Sequence, residues 1–311
     1  MTRMVVRCPA KVNLHLEVLG LRPDGYHEVR TLLAAVGLWD ELEVEAAPPG
    51  VWELRVEGGV SLPADNTVWR AAKLLLSAFP DAGGARVVLR KGIPAAAGLG
   101  GGSADGAAAL VALAKLWGLP VEPGQLVAMA SEIGSDVPFF LFGGACWATG
   151  RGEQVLPLPD LPRYGVVVIP GQEPVSTPAV YRAWDEAQQE SALPSFEPAP
   201  GLPRPGAGWH EGEGFFLYDW LVGKGELPFA KLRNDLQAAA IALFPWIGEN
   251  LALLARFSPL TAMVSGSGGT VFGLFRDEGE AVRVAAELSP RQAVAVPLLR
   301  REESQLLAHA E

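Results

Sequence analysis

The chain is predicted to fold as an α+β protein of two domains. Three observations carry this reading. Its 311 residues exceed the roughly 150 of one ordinary domain. Strand-like and helix-like stretches follow one another with mixed spacing, not the regular alternation of a doubly wound sheet. Near Leu158–Arg163 the pattern loosens into prolines, which divides the chain into residues 1–160 and 161–311.

Val12, Leu14, Leu16 and Val18 alternate with Lys11, Asn13, His15 and Glu17, the period of a half-buried strand whose polar residues share one face. Arg22-Pro23-Asp24-Gly25 is a turn. Leu42–Glu45, Trp52–Val56 and Arg86–Leu89 are further strands, and Thr67–Phe79 reads as a helix. A glycine-rich segment, Gly98–Gly102, runs into an alanine- and leucine-rich helix over Ser103–Trp117, stopped by Gly118 and Pro120. The next helix, Gln125–Ile133, ends at Gly134, a suitable residue for a left-handed C-terminal cap. In the second half Val166–Ile169, Ala262–Val264 and Val271–Phe275 read as strands. Ala179–Glu186, Leu236–Leu243, Glu249–Phe257 and Glu278–Leu288 read as helices. The stretch at about 190–214 is dense in proline and glycine, and a structureless loop that long reads as an insertion or a lid.

Composition excludes several functions. Hydrophobic residues at 49% and charged residues at 19% describe a folded globule. A net charge of −10 repels nucleic-acid backbones and anionic membranes, while leaving room for a local phosphate pocket. No apolar stretch approaches the ~20 residues of a membrane span, and the N-terminus lacks the pattern of a secretory signal. Cys8 and Cys146 are expected to be buried free thiols, since two cysteines make no disulfide framework in so long a chain. A cytoplasmic protein with a small-molecule substrate is expected, with no nucleic-acid or membrane partner. Oligomeric state leaves no mark on the sequence.

Pro94-Ala95-Ala96-Ala97-Gly98-Leu99-Gly100-Gly101-Gly102-Ser103-Ala104 holds the clearest chemistry. Glycines can turn backbone N–H groups toward one point where a helix N-terminus adds positive potential, which suits phosphate. The alternative is a flexible connector. It is neither a Walker A loop nor a dinucleotide fingerprint. Asp105, in the first turn of that helix, would repel a phosphate unless it points aside or works through a cation. Asp136, between Gly134 and Pro138, reads either as a helix N-cap or as a catalytic carboxylate. Lys11 reads as a solvated strand lysine or as part of a site. His15, His27, His210 and His309 have no metal-ligand spacing, so no metal-holding set of side chains is expected. No serine-nucleophile elbow is present.

Taken together, Pro9-Ala10-Lys11-Val12-Asn13-Leu14 with Arg22–His27, Gly98–Asp105, and Ser265-Gly266-Ser267-Gly268-Gly269 resemble the three motifs of the GHMP kinase superfamily. The resemblance extends to Gly134–Pro138 and Gly150-Arg151-Gly152-Glu153, and spans the chain except the insertion. Ala95-Ala96-Ala97 stands where the family usually carries a glycine or two, and Gly106 replaces a common alanine. The resemblance implies a two-domain GHMP fold with its active site in the cleft between domains. It implies transfer of the ATP γ-phosphoryl group to the 2-hydroxyl of a cytidine-diphosphate-linked methylerythritol, in non-mevalonate isoprenoid synthesis. It makes Asp136 the general base, with Lys11 its partner, and Pro94–Ala104 the ATP loop. It places Asn13 near the reacting end, Tyr26 and His27 at cytosine, and Tyr181 on the opposite stacking face. A magnesium ion bridging the phosphates is expected.

Overall fold

The computed structural model describes residues 3–190, 220 and 226–306. The chain opens with two long antiparallel strands, β1 (Arg3–Leu21) and β2 (His27–Ala47), joined by the turn at residues 22–26, where Gly25 adopts φ +83°. β2 is long enough to serve three neighbours. It pairs with β1 along its length, with β4 (Gly84–Arg90) through residues 41–47, and with β5 (Ala145–Thr149) through residues 31–34. β3 (Trp52–Glu57) and β6 (Gln154–Pro157) form the edges, giving the order β3-β4-β2-β5-β6 with β1 on β2. Most of β2, and all of β5 and β6, escaped the sequence reading: the first half of β2 and β5 are buried on both faces and lack clear alternation, and β6 is a short edge strand of mostly exposed residues.

α1 (Thr67–Ala78) is capped by the Asn66 side chain, which accepts from Trp69 N. It packs with α2 (Gly101–Leu116) over the sheet. Half of the buried residues of α2 are alanine and two more are glycine, which lets its backbone approach β1 and β2 closely. α2 starts two residues earlier than expected, so Asp105 lies beyond its first turn. α3 (Pro123–Ile133) ends at Gly134, whose φ of 177° is extended backbone and not the left-handed cap anticipated. A short helix, α4 (Val137–Phe142), follows.

The second sheet has the order β10-β7-β9-β8, built from β7 (Gly165–Ile169), β8 (Thr261–Val264), β9 (Val271–Phe275) and β10 (Val294–Pro297). It is covered by α5 (Thr177–Glu190), α6 (Gln237–Leu243), α7 (Pro245–Ala255) and α8 (Glu278–Glu287), and α9 (Arg301–Ser304) returns to the first sheet's side. The insertion expected at about 190–214 lies outside the described residues, apart from Glu190 itself.

β1 departs from the half-buried expectation in an informative way. Val12 and Leu14 enter a core shared with Phe272 of β9. Yet Lys11, Asn13, His15 and Glu17 on the polar face are buried too. The segment at 233–235, just before α6, runs beside β1: Leu16 N donates to Arg233 O at 2.8 Å, Asp235 N donates to Leu16 O at 2.9 Å, and the Arg233 guanidinium reaches Glu17 Oε1 at 2.6 Å. A buried polar row must find its partners inside the protein, and those partners make the site.

Candidate active site

Lys11 and Asn13 lie two residues apart on β1, and Lys11 Nζ donates to Asn13 Oδ1 at 2.6 Å. The Asn13 amide is fixed from behind. Its Nδ2 donates to Thr31 Oγ1 at 2.9 Å, and that hydroxyl donates to His15 O at 2.6 Å. Lys11 Nζ also lies 3.3 Å from Asp136 Oδ2, with Asp136 about one third exposed. Asp136 occupies the position before α4, but its side chain accepts no helix N–H. The capping alternative is therefore not realised, and the carboxylate is turned to the lysine instead.

The glycine loop closes over this pair. Lys11 N donates to Leu99 O at 2.9 Å. Gly100 has φ +72°, and a Cβ there would fall 2.9 Å from Lys11 Cγ and 2.8 Å from the Phe140 ring. Only a residue without a side chain lets the lysine stem pass. The first intrahelical bond of α2 runs from Ala104 N to Gly100 O, at 2.9 Å. The N–H groups of Gly101, Gly102 and Ser103 thus belong to the turn with no intrahelical acceptor, and the space around Gly102 is open.

The turn between β8 and β9 supplies the third wall. Ser265 Oγ donates to Gly98 O at 2.8 Å, and Thr270 N donates to Ala97 O at 3.1 Å. A Cβ on Gly266 would lie 3.4 Å from Asn13 Oδ1 and 3.5 Å from Lys11 Nζ. Asn234 Nδ2 holds this turn by donating to Val264 O and Gly266 O, at 2.8 and 2.7 Å. Thr177 Oγ1 and Ser267 Oγ are 2.8 Å apart. Segments distant in sequence therefore meet at one point.

The other expected residues lie along the same region. Tyr26 is half exposed, with the Arg151 guanidinium 5.0 Å from its ring centroid. His27 Nε2 lies 2.8 Å from Asp185 Oδ1. Tyr181 stacks directly on His27 with centroids 4.7 Å apart, and Trp184 meets its edge at 5.9 Å. Burial, and the Asp136 charge nearby, push the Tyr181 phenol upward. Thr31, Asp185, Trp184, Asn234 and the roles of residues 265–267 were missed from the sequence. Of these, only the Ser-Gly-Ser-Gly-Gly run carried a signal.

Residues 66–144 match the GHMP kinases N terminal domain and residues 223–294 the GHMP kinases C terminal domain. The 4-diphosphocytidyl-2-C-methyl-D-erythritol kinase of Nocardia farcinica is 39% identical over 92% of this chain and 89% of its own. The chain belongs to the 4-diphosphocytidyl-2-C-methyl-D-erythritol kinase family of GHMP kinases. The kinase of that name from Deinococcus radiodurans is 40% identical, over 91% of this chain and 88% of its own. A crystal structure of a 4-(cytidine 5'-diphospho)-2C-methyl-D-erythritol kinase superposes with a TM-score of 0.73 at 36% identity, covering 95% of this chain and 99% of that one. A homoserine kinase from Cytophaga hutchinsonii, 18% identical with a TM-score of 0.69 and covering 96% of this chain and 95% of its own, shares the fold. No helix among the described residues is long and apolar enough to cross a membrane.

Proposed function

We propose that this protein transfers the γ-phosphoryl group of ATP to the 2-hydroxyl of 4-diphosphocytidyl-2-C-methyl-D-erythritol. The observation that carries the reading is the Lys11–Asp136 contact at 3.3 Å, set beneath the glycine loop and beside Gly266. Phosphoryl transfer needs positioning and charge stabilisation more than covalent chemistry, and this arrangement offers both. The substrate hydroxyl oxygen attacks the γ-phosphorus, the bond to the β–γ bridging oxygen breaks, and ADP leaves. Asp136 takes the hydroxyl proton. Lys11 stabilises charge developing on the attacking oxygen, and Asn13, whose amide is locked by Thr31, orients the alcohol. Pro94–Ala104 bind ATP, with the N–H groups of residues 101–103 directed at its phosphates.

Among the described residues no group of three or more His, Cys, Asp or Glu side chains is arranged to hold a metal ion. A magnesium ion is proposed to enter with ATP, with Ser103 at the start of α2 as its protein contact. When bound there it would neutralise phosphate charge. Tyr26, His27 and Tyr181 are assigned to the cytosine end. Residues 1–160 are assigned as the catalytic and glycine-loop domain and 161–311 as the C-terminal domain, a division supported by the two separate sheets. A cytoplasmic location is part of the same proposal.

An ADP-release assay over a panel of alcohols tests the reading. Turnover is expected with the cytidyl-diphosphate alcohol and not with homoserine or mevalonate. Preference for either of those two would overturn it.

A further inference from the structure

Behind the glycine loop lies an ionic network that the proposed chemistry does not use. Lys91 precedes the loop and Asp105 follows it, and Lys91 Nζ donates to Asp105 Oδ2 at 2.6 Å. The same ammonium donates to Asp40 Oδ2 of β2. The second Asp40 oxygen accepts from Gly92 N and Ile93 N, at 2.7 and 2.8 Å. Side-chain exposure is 4% for Lys91, 0% for Asp40 and 2% for Asp105, so solvent does little to screen these contacts. Gly101, the first residue of α2, rests on the network: a Cβ there would lie 3.2 Å from Asp40 Oδ2 and 3.0 Å from Ile93 Cγ2. From the other side Thr67 Oγ1 donates to Gly102 O at 2.5 Å.

We propose that Asp105 acts through Lys91 as a positioning residue for the nucleotide, the Asp40–Lys91–Asp105 network stapling together the two ends of the glycine loop. A buried ionisable cluster often stabilises a fold no better than apolar residues of the same volume would. What it adds is fixed geometry, since each bond sets an angle as well as a distance. Here the bonds tie residues 91–93, where the chain enters the loop, to residue 105, where it leaves. The roughly ten residues between them then have little freedom, and the N–H groups of residues 101–103 stay aimed at one point. Burial opposes the charged form of Lys91, but Asp105 and Asp40 outweigh it and hold the ammonium above its usual range. Asp105 thus does work through a cation, and the cation is Lys91.

The inference rests on the reading that residues 94–104 hold ATP, and the test separates the two. ADP binding to the full-length protein is measured by calorimetry, alongside KM for ATP and for the cytidyl alcohol. Asp105→Ala is expected to weaken ADP binding and raise KM for ATP about tenfold, the scale of a modest misplacement, while KM for the alcohol stays within about twofold. Asp105→Asn keeps an acceptor toward Lys91 and is expected to recover most of the loss. Lys91→Gln, which cuts the staple from the other end, should reproduce the ATP effect, and it decides the matter if Asp105→Ala does not fold. Should the folded variants lose thermal stability but bind ADP as wild type does, the network is only structural and the proposal falls. Should wild type itself fail to bind ADP, the assignment of the loop falls instead.

Discussion

Lys11 reaches Asp136 by passing over Gly100. The ammonium ends 3.3 Å from the carboxylate, while the stem runs where a Gly100 side chain would have to stand. The acid–lysine pair and the glycine loop are therefore one steric unit. The loop's missing side chain is as much a part of the lysine's placement as the strand that carries it.

Gly100→Ala tests this unit. The added methyl would meet both Lys11 and the Phe140 ring, and φ of +72° disfavours any side chain. We expect a kcat loss of about 100-fold as the lysine is displaced, with the protein still folded by circular dichroism. Unchanged kcat would show that Lys11 can reach Asp136 by another path.

Ala96 has φ +51°, a left-handed conformation in which a Cβ costs about 1 kcal/mol or somewhat more. It falls in the Ala95–Ala97 stretch, where the resemblance read from the sequence led to a glycine being expected. Ala96→Gly should raise stability by several tenths to about 1 kcal/mol after the entropy cost of glycine, read as a higher urea midpoint. Ala96→Val should lower it. A lower midpoint for the glycine variant would contradict the strain.

Much of the fold was legible on local signals of different kinds. α1 carries amphipathic periodicity, α2 an alanine- and leucine-rich run closed by Gly118 and Pro120, and β9 a short apolar run after a glycine turn, and all three were found within a few residues. β5, β6 and β10 were not, since short strands in crowded sheets carry little pattern of their own. The site divides in the same way. Lys11 and Asn13 could be placed on one face by alternation alone. The partners of this face could not be: Arg233 meets both His15 Nδ1 and Glu17, contacts of long sequence separation that no local pattern encodes. Asp185, which meets His27 from α5, is invisible for the same reason. Asp105 was legible as a problem, an acid beside a phosphate loop, while its solution at Lys91 needed the fold.

Burial raises the Asp105 carboxyl from its ordinary 3.8 to about 7, with Asp40 adding to the rise and Lys91 opposing it. Because the folded state holds a proton that the unfolded state has already lost, this group's contribution to stability is full below 3.8 and disappears as pH rises through about 7. Asp105→Asn cannot titrate. The stability of the variant relative to wild type should therefore improve between about pH 5 and about pH 8, by denaturant unfolding at both. A difference that does not change with pH would show that Asp105 stays ionised throughout.

At the far end, Tyr26 is exposed enough to accept a base on its ring. Tyr26→Ala should weaken the cytidyl substrate by about 1–3 kcal/mol, the range of a base–aromatic stack, and leave KM for ATP unchanged. The alcohol lacking the cytidyl-diphosphate group should be poor for wild type and no worse for the variant. Equal KM for the full substrate in both proteins would remove Tyr26 from the cytosine end.

The central claim is that Asp136, paired with Lys11, takes the proton as ATP phosphorylates the cytidyl alcohol. Phosphorus NMR of the mixture of enzyme, ATP and 4-diphosphocytidyl-2-C-methyl-D-erythritol tests it most directly. Wild type should produce ADP and a new phosphomonoester resonance in equal amounts, and Asp136→Asn should do so about 100-fold more slowly or worse, the scale of a lost general base. A phosphomonoester formed at the same rate by both proteins, or none formed by wild type, would contradict the account.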